Sequence, residues 1–389
     1  MQFPDIAQLL ELASQGAGGL DDFGTGFEEP LGRIIEEIRR SVPVGEHNIQ
    51  QLTGILVGIL VSRLYSEAGW KRRPDCLAQP IRAPLVVVGI PRSGTTALHK
   101  LLSMDPRFQG LEQWLINTPM PRPPRADWEQ VPEFRAAVER QNAFLEAVPA
   151  MRITHEVNAD EVDECLNLLA QSFVSHYFAS AIGLPDFDRW LRTQDERGSY
   201  RRYADNLRLI GADAGDQRWL LKNPGSVGHL DALLEVFPDA CIIQTHRDPV
   251  QCVPSVCGVI HPARTFFHGC EIDPRTLGPR ERDLWAWSVE RGEEVRRHHA
   301  DRFIDIDFRA FRREPMREVG RIYAQFGLDL DPAAERSMRA WLAANPQHKH
   351  GKHEYTPEQY GVTADELRRH FAPYIARHGL QVPTPARQS

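Results

Sequence analysis

Two hydrophobic spacings divide this chain. Near the N-terminus, Leu31, Ile34, Ile35 and Ile38 recur at the helical interval, and a second helix is predicted around Asn48 to Gly69. Residues 1–80 are therefore expected to form a helical N-terminal extension, ended by a connector marked by Pro74, Pro80 and Pro84. From there the pattern changes to short apolar runs at Leu85–Gly89, Trp219–Leu221, Cys241–Thr245 and Phe303–Ile306, separated by helical stretches. Such runs suit strands covered on both faces, and their alternation with helices predicts an α/β fold built on a parallel sheet over residues 81–389. A long helical stretch is expected around Leu166–Ile182, where Phe173 and Tyr177, like Trp114 upstream, could line an apolar pocket or the core. The run Thr118-Pro-Met-Pro-Arg-Pro-Pro124 reads as a rigid irregular loop in preference to a ligand for a Pro-binding module.

Composition narrows the partners. With 389 residues, 42% of them hydrophobic, the chain can bury a large core, and a net charge of −7 argues against nucleic acid as the main partner. A local basic site for an anionic ligand remains compatible with that balance. The start Met-Gln-Phe-Pro-Asp has no basic segment before an apolar core, and the nearby apolar run Ile55 to Val61 is too short to span a bilayer, so the expected location is cytoplasmic. The 6 cysteines include no C-x-x-C pair, and Cys252 and Cys257 are expected to be core thiols on one helix. No metal is expected, and the oligomeric state is not legible.

The chemistry begins where the first strand ends. In Gly89-Ile-Pro-Arg-Ser-Gly-Thr-Thr96, Gly94 allows close backbone approach, while Ser93, Thr95 and Thr96 offer hydroxyls and N–H groups at a helix start, which binds phosphate. A nucleoside-triphosphate loop needs Lys directly after its second Gly; Thr95 stands there, and the cation is Arg92 instead. A metal-dependent kinase is thereby disfavoured, though it stays as one alternative beside a nucleotide-binding protein without turnover. A second grip lies at the end of the Cys241–Thr245 strand: Asp248 can cap the next helix with Pro249 in its first turn, holding Arg247 at the sheet's carboxyl edge. Ser255 follows eight residues later.

Pro91-Arg-Ser-Gly-Thr-Thr96 is similar to the 5′-phosphosulfate loop of sulfotransferases, which use 3′-phosphoadenosine 5′-phosphosulfate (PAPS). An Arg and a Ser eight residues apart grip the 3′-phosphate in that family, and K-x-P-x-x-x-x-H-x-x-x-L-L-x-x-F-P is matched by Lys222, Pro224, His229, Leu233, Leu234, Phe237 and Pro238. From Pro84 to Phe326 the chain thus resembles sulfotransferases, most closely the bacterial and tyrosylprotein-like branch, where Arg stands at the loop's cation position. The resemblance implies a three-layer P-loop-type sheet with helices on both faces and PAPS-dependent transfer to a hydroxyl of a small molecule.

It also implies roles. Arg92 would hold the leaving 5′-phosphate with Ser93, Gly94, Thr95 and Thr96, Arg247 and Ser255 the 3′-phosphate, and Lys222 the transferring group, unless a structural salt bridge claims Lys222. The acceptor needs a base. The tyrosylprotein branch uses a Glu after the first helix, and Glu112 stands similarly, except that Leu111 intrudes after Gly110. Other candidates are His155 and Glu156, in the tract Thr154–Cys165 that also holds Glu161 and Glu164. The late basic tract His348–Tyr355 could bring Lys349 or Lys352 to the 3′-phosphate or be a solvated loop.

Overall fold

The computed structural model describes residues 2–42, 45–147, 158–346 and 355–380. The candidates His155, Glu156, Lys349 and Lys352 lie outside the described residues.

Three helices lead the chain: α1 (Ile6–Gly16), α2 (Glu28–Ser41) and α3 (Glu46–Arg72). The stripe Leu31, Ile34, Ile35 and Ile38 of α2 is buried, as its spacing dictates. It shares one core with α3 and with residues from 170 to 191, so the extension packs directly on the middle of the chain. Among the described residues, α3 is long and apolar enough to cross a membrane by length and composition. Half of its apolar window is buried in this core.

The sheet follows: β1 (Leu85–Gly89), α4 (Thr95–Leu102), β2 (Phe108–Gln109), α5 (Gln113–Asn117), α6 (Pro132–Ala147), α7 (Leu166–Ala170), α8 (His176–Ala181), α9 (Pro185–Leu191), α10 (Arg197–Ile210) and β3 (Arg218–Lys222). Then come α11 (Leu230–Val236), β4 (Cys241–His246), α12 (Pro249–His268), α13 (Leu277–Arg296) and β5 (Phe303–Asp307). The chain ends with α14 (Phe308–Arg313), α15 (Pro315–Gln325), α16 (Pro332–Ala344), α17 (Ala364–His370) and α18 (Ala372–His378). All strands are parallel, in the order β2-β3-β1-β4-β5. The pleat sorts β1 between two layers: Val86 and Val88 face one core, Leu85 and Val87 the other. The first core is covered by α10, α11 and α13, the second by α4, α15 and α16. Each fully buried Val of this kind stabilises the fold by about 1.5–3 kcal/mol.

Two departures from the predicted elements matter. Strand β2 has only two residues, too few to show as an apolar run, yet it sets the sheet's edge beside β3. The long helix expected over Leu166–Ile182 is two short ones, α7 and α8. Phe173 interrupts it with φ 58°, and Ser175 restarts it by accepting a hydrogen bond from the Tyr177 N–H. That break turns His176 and Tyr177 toward the sheet's carboxyl edge.

Candidate active site

The carboxyl ends of β1, β3 and β4 open onto a cavity of about 460 Å3. This is the edge where parallel α/β sheets bind ligands. After β1, Gly94 adopts φ 94°, and a Cβ there would come within 2.8 Å of the Phe308 ring, so glycine is required on both counts. Arg92 also takes a left-handed conformation, φ 71°, a strain on the order of 1–3 kcal/mol for a residue with a side chain. Arg92, Gly94, Thr95 and Thr96 line the cavity.

Ser93 is placed differently from its four neighbours. Its N–H donates to the Ile90 carbonyl at 3.2 Å, and its buried hydroxyl donates to the same oxygen at 2.5 Å and meets Thr245 Oγ1 at 2.6 Å. Ser93 therefore braces the loop against β4 and does not line the cavity.

After β4, Asp248 accepts from the Val250 N–H at 2.9 Å and caps α12, with Pro249 in the first turn. This fixes Arg247, whose Nη1 donates to the Arg92 carbonyl at 2.8 Å and whose guanidinium lies 4.5 Å from the centre of the Phe308 ring. Arg92 Nε in turn donates to Ser255 Oγ at 3.1 Å. The two grips read separately along the sequence are thus one cluster. Burial, and then the adjacent Arg247 charge, lowers the Arg92 pKa. A doubly phosphorylated ligand would relieve that crowding.

Lys222 ends β3 in register with Val87 and has no exposed surface. Its Nζ donates to Thr96 Oγ1 at 3.2 Å and to Glu164 Oε1 at 2.9 Å, with Asp163 Oδ1 at 3.7 Å. Lys222 is thus both salt-bridged and in contact with the phosphate loop.

Glu112 sits elsewhere. It precedes α5, pairs with Val162 across an isolated antiparallel bridge, and accepts from Arg122 Nε at 3.1 Å. Burial raises its pKa and Arg122 opposes the rise. Leu111, the intruding residue, fills the core, and Glu112 is not among the residues lining the cavity.

The cavity wall instead carries Glu164, His176 and Glu281. Of these, Glu164 belongs to the tract singled out in the sequence, while His176 and Glu281 carry no motif that would have marked them. Tyr177 lines the cavity; Trp114 and Phe173 are core. On α12, Val256, Val259, Ile260 and Ala263 form an apolar stripe facing the space, a helical spacing that was readable in the sequence. Opposite lie Leu166, Tyr177 and Ala181.

Beside Arg247, ligating atoms of His246, Asp305 and His378 gather within 4.8 Å of one another. Arg296 holds both oxygens of Asp305 at 2.5 Å, and His246 bonds the Tyr374 hydroxyl at 2.9 Å and Asp305 at 2.7 Å. This network clamps α18 to β4 and so supports the position of Arg247.

The profile of the Sulfotransferase family matches residues 84–332. Among solved structures, a sulfotransferase STF1 from Mycobacterium tuberculosis superposes with a TM-score of 0.86 at 32% identity, covering 96% of this chain and 99% of that one. A sulfotransferase STF9 from Mycobacterium avium gives 0.87 at 27% identity, covering 98% of each. Both likenesses extend into the N-terminal helices, which the motif resemblance did not reach. Among curated proteins, omega-hydroxy-beta-dihydromenaquinone-9 sulfotransferase Stf3 of Mycobacterium bovis and of Mycobacterium tuberculosis is 26% identical over 317 residues, 78% of this chain and 77% of the relative. With the family profile matched over residues 84–332 and 32% identity to STF1 across nearly the whole length, this chain belongs to the sulfotransferase family.

Proposed function

We propose that the donor is PAPS and the acceptor a hydroxyl on an apolar small molecule. The observation that carries this reading is the convergence of Arg92, Thr96 and Arg247 on one cavity, with Lys222 bonded to Thr96 and Ser255 to Arg92 behind its wall, while the other half of the cavity is an apolar trough. Arg92 and the N–H groups at the start of α4 hold the 5′-phosphate that leaves; Arg247 and Ser255 hold the 3′-phosphate. Lys222, next to Thr96, stabilises the charge spread over the transferring oxygens. Positive charge comes from these side chains and a helix terminus, so no divalent metal is needed. Lys349 and Lys352, outside the described residues, are further candidates for contact with the 3′-phosphate.

The stripe on α12 suits an acceptor whose hydroxyl ends a slender apolar chain. A curated relative is named for an omega-hydroxy menaquinone, an acceptor of that kind. We also assign a cytoplasmic setting on the ground that all six cysteines are free thiols. The test is incubation with sulfur-labelled PAPS and a panel of hydroxylated acceptors graded from sugars to long-chain alcohols. Label should pass to the apolar alcohols. Transfer confined to sugars would overturn the acceptor reading, and transfer to none would overturn the donor reading.

A further inference from the structure

We infer that the His176 imidazole takes the proton from the acceptor hydroxyl, an assignment that rests on the sulfotransfer reading above. His176 is the first residue of α8, placed by the Ser175 cap. Its ring lies over the backbone of Gly225, where a Cβ would approach Cε1 to 1.9 Å, and edge-on to Trp285 with centroids 6.4 Å apart. Any larger residue at 225 would displace the ring. His176 and Gly225 line the cavity, and Lys222, three residues before Gly225, reaches its wall from beneath through Thr96 and Glu164, both lining residues.

The two carboxylates on that wall are already engaged. Glu164 accepts from Lys222, and Glu281 accepts from Trp285 Nε1 at 3.0 Å and from Arg280 at 2.5 Å. The His176 ring nitrogens make no hydrogen bond among the described residues. Burial first, and then the Arg280 charge, lowers the His176 pKa to about 4, so the ring is neutral and one nitrogen keeps its lone pair. The groups facing it are Arg280 and Glu281 from α13, Asp188 from α9, Glu164 from the segment before α7, and His229 from the turn after β3.

In the step this implies, the acceptor O–H bond breaks and its proton passes to a ring nitrogen of His176. The acceptor oxygen bonds to sulfur as the bond from sulfur to the bridging oxygen of the phosphate breaks. The electron pair leaves with the 5′-phosphate, whose charge Arg92 holds. No oxidant, reductant or metal enters the balance.

The test compares two probes of similar shape and different acidity, 4-nitrobenzyl alcohol and 4-nitrophenol. A phenol that ionises unaided near neutral pH needs no base; an alcohol does. His176→Gln should lower transfer to the alcohol by roughly a hundredfold or more and to the phenol by less than about tenfold. Affinity for 3′-phosphoadenosine 5′-phosphate should not change, which also reports that the variant is folded. Equal losses on both probes, or none on the alcohol, would overturn the assignment. Transfer to neither probe by the unaltered chain would tell against the sulfotransfer reading itself.

Discussion

Arg247 touches the Arg92 backbone, Gln251 and the Phe308 ring, so its guanidinium is oriented before any ligand arrives. A charge-assisted contact to phosphate is worth roughly 1.5–3 kcal/mol. Arg247→Ala should therefore weaken 3′-phosphoadenosine 5′-phosphate by about ten- to a hundredfold while adenosine 5′-phosphosulfate, which lacks the 3′-phosphate, is little affected. Titration calorimetry with both ligands measures this, and equal losses would place Arg247 elsewhere. Glu112 leads to the opposite expectation. Its carboxylate is bound to Arg122 away from the cavity, so Glu112→Gln should lower the melting temperature and leave turnover within about threefold, whereas a base would cost two to four orders of magnitude. At this scale the sequence was readable where spacing constrains geometry: Arg92 bonds Ser255 and, through its carbonyl, Arg247, and Lys222 bonds Thr96 of the same loop. It was not readable for Ser93, whose hydroxyl turns inward, or for His176, which reaches the site only through a break in a helix.

Among the elements, α12 runs along the whole cavity. Its first turn fixes Arg247, Ser255 meets Arg92 one and a half turns later, and the stripe from Val256 to Ala263 walls the trough. Ala263→Trp should fill the trough, raising KM for a long-chain alcohol at least tenfold with donor affinity unchanged, as steady-state kinetics would show. A uniform loss of donor and acceptor binding would mean that the helix itself had moved. The helix was legible from Asp248 and Pro249; its apolar stripe, though at helical spacing, was not singled out, because nothing local says which face meets a cavity. The split between α7 and α8 was not, because the left-handed turn at Phe173 depends on its ring stacking on Phe178 in the core, a tertiary contact that local spacing does not carry.

For the whole molecule, buried titratable groups set the response to pH. His99, His176 and His229 have pKa values lowered by burial to about 3, 4 and 3. The unfolded chain protonates each near 6.5, so between those values it binds more protons than the folded one, and stability falls as pH drops below 6.5. The slope approaches about 1.4 kcal/mol per pH unit for each imidazole. Glu196, beside His229 at 3.3 Å, runs the other way: burial raises it to about 8, the unfolded chain loses that proton near 4.5, and stability falls as pH rises between the two. Glu196→Gln keeps a neutral side chain at every pH and should raise the melting temperature more at pH 8 than at pH 5, as scanning calorimetry would record. The parallel α/β architecture was legible from four apolar runs. The joining of the N-terminal helices to residues 170–191 in one core was not, since nothing local links segments so far apart.

If Arg92, Lys222 and Arg247 hold a nucleotide phosphorylated at both ends, their charges make its binding independent of divalent metal. Titration calorimetry of the full chain in a chelator measures it most directly. The expected result is binding of 3′-phosphoadenosine 5′-phosphate, unaffected by removal of divalent cations and tighter than ATP with magnesium. Magnesium-dependent ATP binding tighter than that of the bisphosphate would contradict it.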